Sequence, residues 1–444
     1  MTLRDHIQRV KGLKSVRAEG RVAQVVGLVI ESIGPAARLG ELCLISADPT
    51  APPIAAEVVG FRQERLLLMP LGDMSGIMPG SEVVATGRPL SVGVGRALLG
   101  RVLDGLGRPI DGLGTPQGLM RVPVDAAPPN PLTRQRIRDV MPFGVRALDA
   151  VLTCGRGQRL GIFAGSGVGK STLLGMITRQ ARSDITVVCL VGERGREVRD
   201  FIERDLGPEG LARSIVVVAT SDQSALQRIK AAYTATAIAE HFRDEGLDVV
   251  LLMDSVTRFA MAQREVGLSI GEPPTTKGYT PSVFAHLPRL LERAGTATRG
   301  SITGLYTVLV EADDFNEPIS DAVRGILDGH VILSRALAAQ NHFPAIDVLE
   351  SVSRVMPELV SEEHLKSAGW LREVLATHRQ AQDLINIGAY QRGSNPQIDA
   401  AISFIDPCNE FLRQGVHEQA TYESVIAELQ QLFAPLFAAN VNNP

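Results

Sequence analysis

The stretch Arg159-Leu-Gly-Ile-Phe-Ala-Gly-Ser-Gly-Val-Gly-Lys-Ser-Thr172 decides how this chain is read. An apolar run ends at Phe163, a glycine-rich turn follows, and Gly169-Lys170-Ser171 opens a predicted helix. This is the phosphate-binding P-loop pattern, with Ala164 where the strict form has its first glycine. Gly165, Gly167 and Gly169 are expected to take positive φ, turning successive N–H groups inward around a phosphate. The helix that follows presents its unpaired N–H groups and positive dipole end to the same phosphates. Lys170 supplies a mobile positive charge for the β- and γ-phosphates, and Ser171 a hydroxyl for Mg²⁺. Gly165, Ser166, Gly167, Val168, Gly169, Lys170, Ser171 and Thr172 are therefore the candidate nucleotide-binding residues, with ATP and Mg²⁺ as the expected ligands.

Composition narrows the surroundings of that loop. A chain of 444 residues exceeds one ordinary core, so two or three domains are expected. With 45% hydrophobic and 21% charged residues, it is globular rather than disordered. Aromatics at 4% and a net charge of −4 argue against a nucleic-acid stacking surface, so no nucleic-acid partner is expected. Cys43, Cys154, Cys189 and Cys408 form no close pair and read as buried or free thiols in a reducing compartment. No apolar run is long enough to span a bilayer, and no secretory leader is visible, so a cytoplasmic location is expected.

Outward from the loop, the texture changes in blocks. Residues 1–20 carry Arg4, Arg9, Lys11, Lys14 and Arg17, with Leu3, Ile7, Val10 and Leu13 at helical spacing. They predict a basic amphipathic helix suited to an anionic membrane surface or a partner helix, or else a frayed terminus. Between 21 and 90, short β-rich runs (21–31, 41–46, 54–61, 65–69 and 81–86) suggest a small closed β-barrel. Residues 91–135 are rich in glycine and proline and read as a connector without chemistry of its own. From 136 to 358, apolar runs at 186–191, 214–219, 249–253 and 302–310 alternate with helical patterns such as 224–243 and 282–293. Such alternation predicts an α/β domain with a mostly parallel sheet covered on both faces. Residues 359–444 read as helices broken at Gly388, at Gly393-Ser-Asn-Pro396 and at Pro407.

Two carboxylates fit the phosphate loop. Val249-Val-Leu-Leu-Met-Asp254 is an apolar strand ending in an acid that would hold Mg²⁺, the Walker B pattern. Glu193 directly follows the apolar run 186–191 and Gly192, where a carboxylate can polarise an attacking water. Arg194 and Glu197 read as supporting or interface residues. Arg354, after the serine-rich stretch Pro344-Ala-Ile-Asp-Val-Leu-Glu-Ser-Val-Ser353, would on its own be a solvated loop residue.

Taken together, the P-loop, Gly192-Glu193-Arg194, Asp254 and the Pro344–Ser353 signature resemble the catalytic subunits of rotary ATP synthases. The resemblance is closest to the flagellar and type III secretion export ATPases. It is carried by Gly155-Arg-Gly-Gln-Arg159, Gly192-Glu-Arg-Gly-Arg-Glu-Val198, Met261-Ala-Gln-Arg-Glu265, Gly271-Glu-Pro-Pro274, Thr276-Lys-Gly-Tyr279 and Gly388-Ala-Tyr390. The similarity extends from about residue 20 to about residue 430. It implies a β-barrel, a RecA-like ATPase domain and a C-terminal helical domain, assembled as a homohexamer with ATP between subunits. It further implies that Lys170 and Ser171 hold phosphates and Mg²⁺, Glu193 activates water and Asp254 completes the metal site. Arg354 matches an arginine finger reaching the neighbouring subunit's site, and Phe343 falls where an aromatic lies against adenine. A stator-like regulator at the N-terminus, export-gate components, exported proteins, chaperones and the cytoplasmic face of the inner membrane are the implied partners. The rotor-facing acidic segment of true rotary subunits has no counterpart here. Virulence secretion, a rotary synthase subunit, a hexameric RNA translocase and a non-catalytic scaffold are the competing readings. Retention of Glu193 opposes the last, and a single chain carrying both loop and finger favours identical subunits completing one another's sites.

Overall fold

The computed structural model describes residues 19–48, 50–310, 314–315 and 317–434. Of the basic segment read over residues 1–20, residues 1–18 therefore lie outside the described residues.

Six strands close the N-terminal barrel in the order β1-β2-β5-β4-β3-β6. They are β1 (Glu19–Val26), β2 (Val29–Ile33), β3 (Glu41–Ser46), β4 (Ile54–Arg62), β5 (Arg65–Pro70) and β6 (Glu82–Pro89). Alternation of buried and half-buried positions along β3 is what one filled barrel wall requires. The single run read over 21–31 is in fact two strands. Gly27, at φ 59°, turns the chain between them, and Val26 pairs antiparallel with Val29. Glu57 of β4 lies 2.6 Å from Lys230 of the nucleotide domain, an ion pair with both side chains mostly buried.

Residues 91–135 do more than connect. β7 (Ser91–Val94) and β9 (Met120–Pro123) form a ribbon, and β8 (Val102–Asp104) joins the central sheet parallel to β12 (Ser214–Thr220). Three residues set among glycines and prolines carry too little apolar pattern to announce that strand.

The central sheet runs β17-β16-β10-β15-β13-β11-β12-β8. Its remaining strands are β10 (Arg159–Ala164), β11 (Ile185–Glu193), β12 (Ser214–Thr220), β13 (Asp248–Asp254), β14 (Gly295–Thr296), β15 (Ser301–Leu309), β16 (Gly329–Leu333) and β17 (Ile346–Ser353). All pairings are parallel except β14 on β15 and β17 on β16. The continuous apolar strands are buried along nearly their whole length, as helices on both faces demand. Helix 225–244 is capped by Ser224, whose hydroxyl accepts the Gln227 N–H, and buries a run of small alanines beneath β11, β12 and β13.

The serine-rich stretch before Arg354 is β17, an edge strand, rather than a loop. Because β17 runs against β16, its first residue lies beside Leu333 at the carboxyl end of β10. Its last lies beside Gly329 at the other end. In the helical layer, helices 362–386, 396–412 and 422–432 are capped by Ser361, Asn395 and Thr421. Pro407, read as a break, sits inside the second of these. Proline removes one donor from the ladder, and the buried Cys408, Phe411 and Leu412 beyond it hold the helix against the core. All four cysteines are buried and free, as expected.

Candidate active site

β10 delivers the phosphate loop to the carboxyl edge of the sheet. Gly167 and Gly169 adopt φ 80° and 91°, and Gly169 caps helix 170–180 from the left-handed region. Gly165 is not among the positive-φ glycines, so two residues and not three make the turn. Val168 is buried, which pins the loop from within, while Ser166 and Gly167 face outward. Ser171 is exposed in the first helical turn, with its neighbours Leu173 and Leu174 packed into the core.

Three strands bring the charged groups together. β15 lies between β10 and β13, and adjacent strands stand about 4.8 Å apart, so Asp254 sits roughly 10 Å across the sheet from the loop. The Lys170 side chain spans that gap and donates to Asp254 Oδ1. Thr307 of the intervening strand also donates to Oδ1, at 2.7 Å. Next along, β11 ends in Glu193, whose Oε1 is 3.7 Å from Lys170 Nζ. A register shift between Val191 and Glu193, with Gly192 at φ 71°, turns this side chain out of the sheet's pattern. Burial, the nearby Asp254 charge and a hydrogen bond with Glu197 together push the Glu193 carboxyl up to about 7, against the opposing pull of Lys170. A carboxylate poised near neutrality is suited to taking a proton from water.

Lys170 and Glu193 line one cavity of about 930 Å³ with most of the phosphate loop, and the buried Asp254 stands behind that wall, bonded to Lys170. Arg194 and Glu197 also line it, nearer the chemistry than their sequence context suggested. Thr257, Arg258 and Arg264 of helix 256–270, with Lys277, Tyr279 and Arg335, also line it and were not singled out individually from sequence. Arg264, Lys277 and Tyr279 had only the signal of belonging to longer family stretches, and Thr257, Arg258 and Arg335 had none. The Arg258 Nε is buried without a hydrogen-bond partner, a donor suited to an anionic ligand. The donor set as a whole (loop N–H groups, Lys170, Arg258, one hydroxyl and one carboxylate) fits a triphosphate with Mg²⁺, a cation that takes one or two carboxylates beside substrate phosphates.

The remaining two candidates lie apart. The Phe343 ring is 40% exposed and packs over the loop, 3.5 Å from where a Cβ on Gly169 would stand. Arg354 is exposed and does not line this cavity. Its N–H donates to Asp328 O at 3.1 Å, and the Asp328 N–H in turn donates to Arg159 O, at the amino end of β10. Six strand residues at about 3.3 Å each separate that end from the phosphate loop, roughly 20 Å.

This fold and site define a P-loop enzyme that hydrolyses ATP. The model of the ATP synthase alpha/beta family nucleotide-binding domain matches residues 144–353, that family's beta-barrel domain 22–87, and the C-terminal domain of the type III secretion ATPase EscN 360–431. The chain is 58% identical to the flagellum-specific ATP synthase of Bacillus subtilis, over 94% of this chain and 96% of that protein. It is 53% identical to the type 3 secretion system ATPase of Xanthomonas euvesicatoria, over 92% and 93%. The solved structure of assembled EscN from enteropathogenic E. coli superposes with a TM-score of 0.88 at 47% identity, covering 93% of this chain and 99% of EscN. EscN has also been solved with its central stalk EscO, with a TM-score of 0.86. The chain belongs to the ATP synthase alpha/beta family and, within it, to the flagellar and type III secretion ATPases.

Proposed function

We propose that identical copies of this chain form a closed ring, six in number, whose shared sites hydrolyse Mg²⁺-bound ATP to energise or prime protein export in flagellar assembly. The observation carrying this reading is the division of the site. Lys170 and Glu193 line one cavity and Asp254 is bonded to Lys170 at its wall, while Arg354 stands exposed at the opposite end of the sheet. A finger that cannot reach its own cavity is of use only to a neighbour's, and head-to-tail repetition of such contacts closes into a ring.

In that reading the loop N–H groups and Lys170 bind the β- and γ-phosphates, and Phe343 lies against the base. Ser171 and Asp254 hold Mg²⁺, which neutralises charge on the phosphates. Glu193 accepts the proton of the attacking water, its raised affinity for protons making it an effective base near neutral pH. Arg354 of the adjacent subunit stabilises charge developing on the transferred phosphoryl group. The barrel at 21–90, the ATPase domain at 136–358 and the helical domain at 359–444 serve as the working units.

Cytoplasmic location with peripheral contact to the inner membrane, through the basic N-terminal segment, belongs to the same proposal. So do a regulator at that end, and export-gate components, exported proteins and chaperones as partners. Among the described residues no helix is long and apolar enough to cross a membrane. Relatives named for type 3 secretion, at 51% and 53% identity, support virulence secretion as the second reading. Expressing the chain in a flagellated host lacking its own export ATPase separates them. Restored motility, lost again with Lys170→Ala, supports the flagellar role; restored virulence secretion without motility contradicts it.

A further inference from the structure

One buried amide outside the cavity ties the helical layer to the nucleotide-binding loops. Gln414 lies in the loop between helices 396–412 and 422–432 and is only 5% exposed. Its Oε1 accepts the Arg146 N–H at 2.9 Å, and its Nε2 donates to Gly144 O at 2.8 Å and to Glu418 O at 3.1 Å. Its backbone N–H donates to Phe343 O at 2.9 Å. The same loop meets the far end of the phosphate-loop helix: Arg179 Nη2 donates to Val416 O at 2.8 Å, and Gln180 Nε2 to Glu418 O at 3.1 Å.

Both donors of the side-chain amide are in use and its oxygen is engaged, so it is committed to the chain rather than left for a ligand. What the amide fixes is the position of its own backbone, and hence the aim of the N–H that holds the Phe343 carbonyl. We infer that Gln414 is a positioning residue for the base-binding loop, setting the Phe343 ring and transmitting the placement of the helical layer to nucleotide affinity. The inference rests on the reading of Phe343 as the residue that lies against the base. A residue acting this way governs how tightly ATP is held and leaves phosphoryl chemistry, at Glu193 and Lys170, untouched.

A double-mutant cycle on the full chain tests it, with steady-state kinetics at protein concentrations where specific activity has levelled off. Gln414→Ala is expected to raise KM for ATP about tenfold, as for loss of buried hydrogen bonds, with kcat within about twofold of wild type. In the Phe343→Ala background the same substitution should change KM by less than about twofold, because the group it positions is gone. Should Gln414→Ala fail to fold, Gln414→Met fills nearly the same volume without the hydrogen bonds and is read in the same cycle. An equal rise in KM in both backgrounds, or a fall in kcat with KM unchanged, overturns the inference while leaving the base reading intact. A Phe343→Ala enzyme with wild-type KM overturns the base reading itself, and the positioning role with it.

Discussion

The two ends of β10 are built on opposite terms. At its carboxyl end the three central charged groups are held within the same chain: Lys170 by Asp254, Asp254 by Thr307, Glu193 by the charge of Lys170. At its amino end the Arg159 guanidinium grips Asp328 through two bonds of 3.0 Å, yet Arg354 just beyond is left exposed, its guanidinium making a long 3.4 Å contact to Leu327 O. A positive side chain anchored at its backbone, exposed, and held at its tip by one long bond is open to a group outside its own subunit. On the reading proposed above, the contrast means that the catalytic centre is complete in chemistry only when two copies meet.

That contrast can be broken at its strongest point first. Lys170→Ala removes the cation that bridges both carboxylates, and turnover should fall by about 10³-fold or more together with loss of ATP binding, read by ATPase assay and nucleotide titration. Arg354→Ala should cost about 10³-fold in kcat and leave both ATP affinity and the melting temperature of the isolated chain unchanged, since the side chain is exposed and distant from its own cavity. Loss of binding in that variant would place the arginine inside its own site.

The third test uses pH. Glu193 is raised to about 7, so the free enzyme protonates it below that value and deprotonates it above. Only the deprotonated form can take a proton, so kcat/KM should fall by about tenfold for each pH unit below the transition and level off above it. A profile flat from pH 6 to pH 8 would exclude Glu193 as the base. The smallest effect is expected at Asp328, whose carboxylate is gripped by Arg159 and whose backbone C=O, so held, accepts the Arg354 N–H. Asp328→Asn should lower kcat only several-fold, roughly 1 kcal/mol of transition-state stabilisation, with KM for ATP unchanged.

Legibility in the sequence followed the density of pattern. The strands β3, β12 and β13 were readable almost residue for residue, because continuous or alternating apolar runs bounded by turn residues carry their own limits. β16 and β17 were not. Five residues, Gly329–Leu333, are too short to show a period, and Ile346–Ser353 mixes Asp347, Glu350 and two serines into an edge strand that needs only one covered face. Missing them hid the antiparallel return that carries Arg354 away from the loop. Within the site, Lys170, Glu193 and Asp254 were legible because each sits at a strand or loop terminus whose role depends on local order. Arg258 and Arg264 were not, since an arginine on a helix announces nothing until the fold turns that face toward a cavity. Gln414 lay further out of reach, its four contacts joining segments up to 270 residues apart.

The most direct measurement mixes two dead enzymes. Glu193→Ala and Arg354→Ala chains are each expected to be nearly inactive alone. Combined and assembled together, some interfaces pair an intact Glu193 with an intact Arg354 from the next subunit. The account predicts recovered ATPase activity in the mixture, with specific rate rising with protein concentration. No recovery, at a rate independent of concentration, would contradict it: Arg354 would then act within its own chain or not at all, and the shared-site ring would fall.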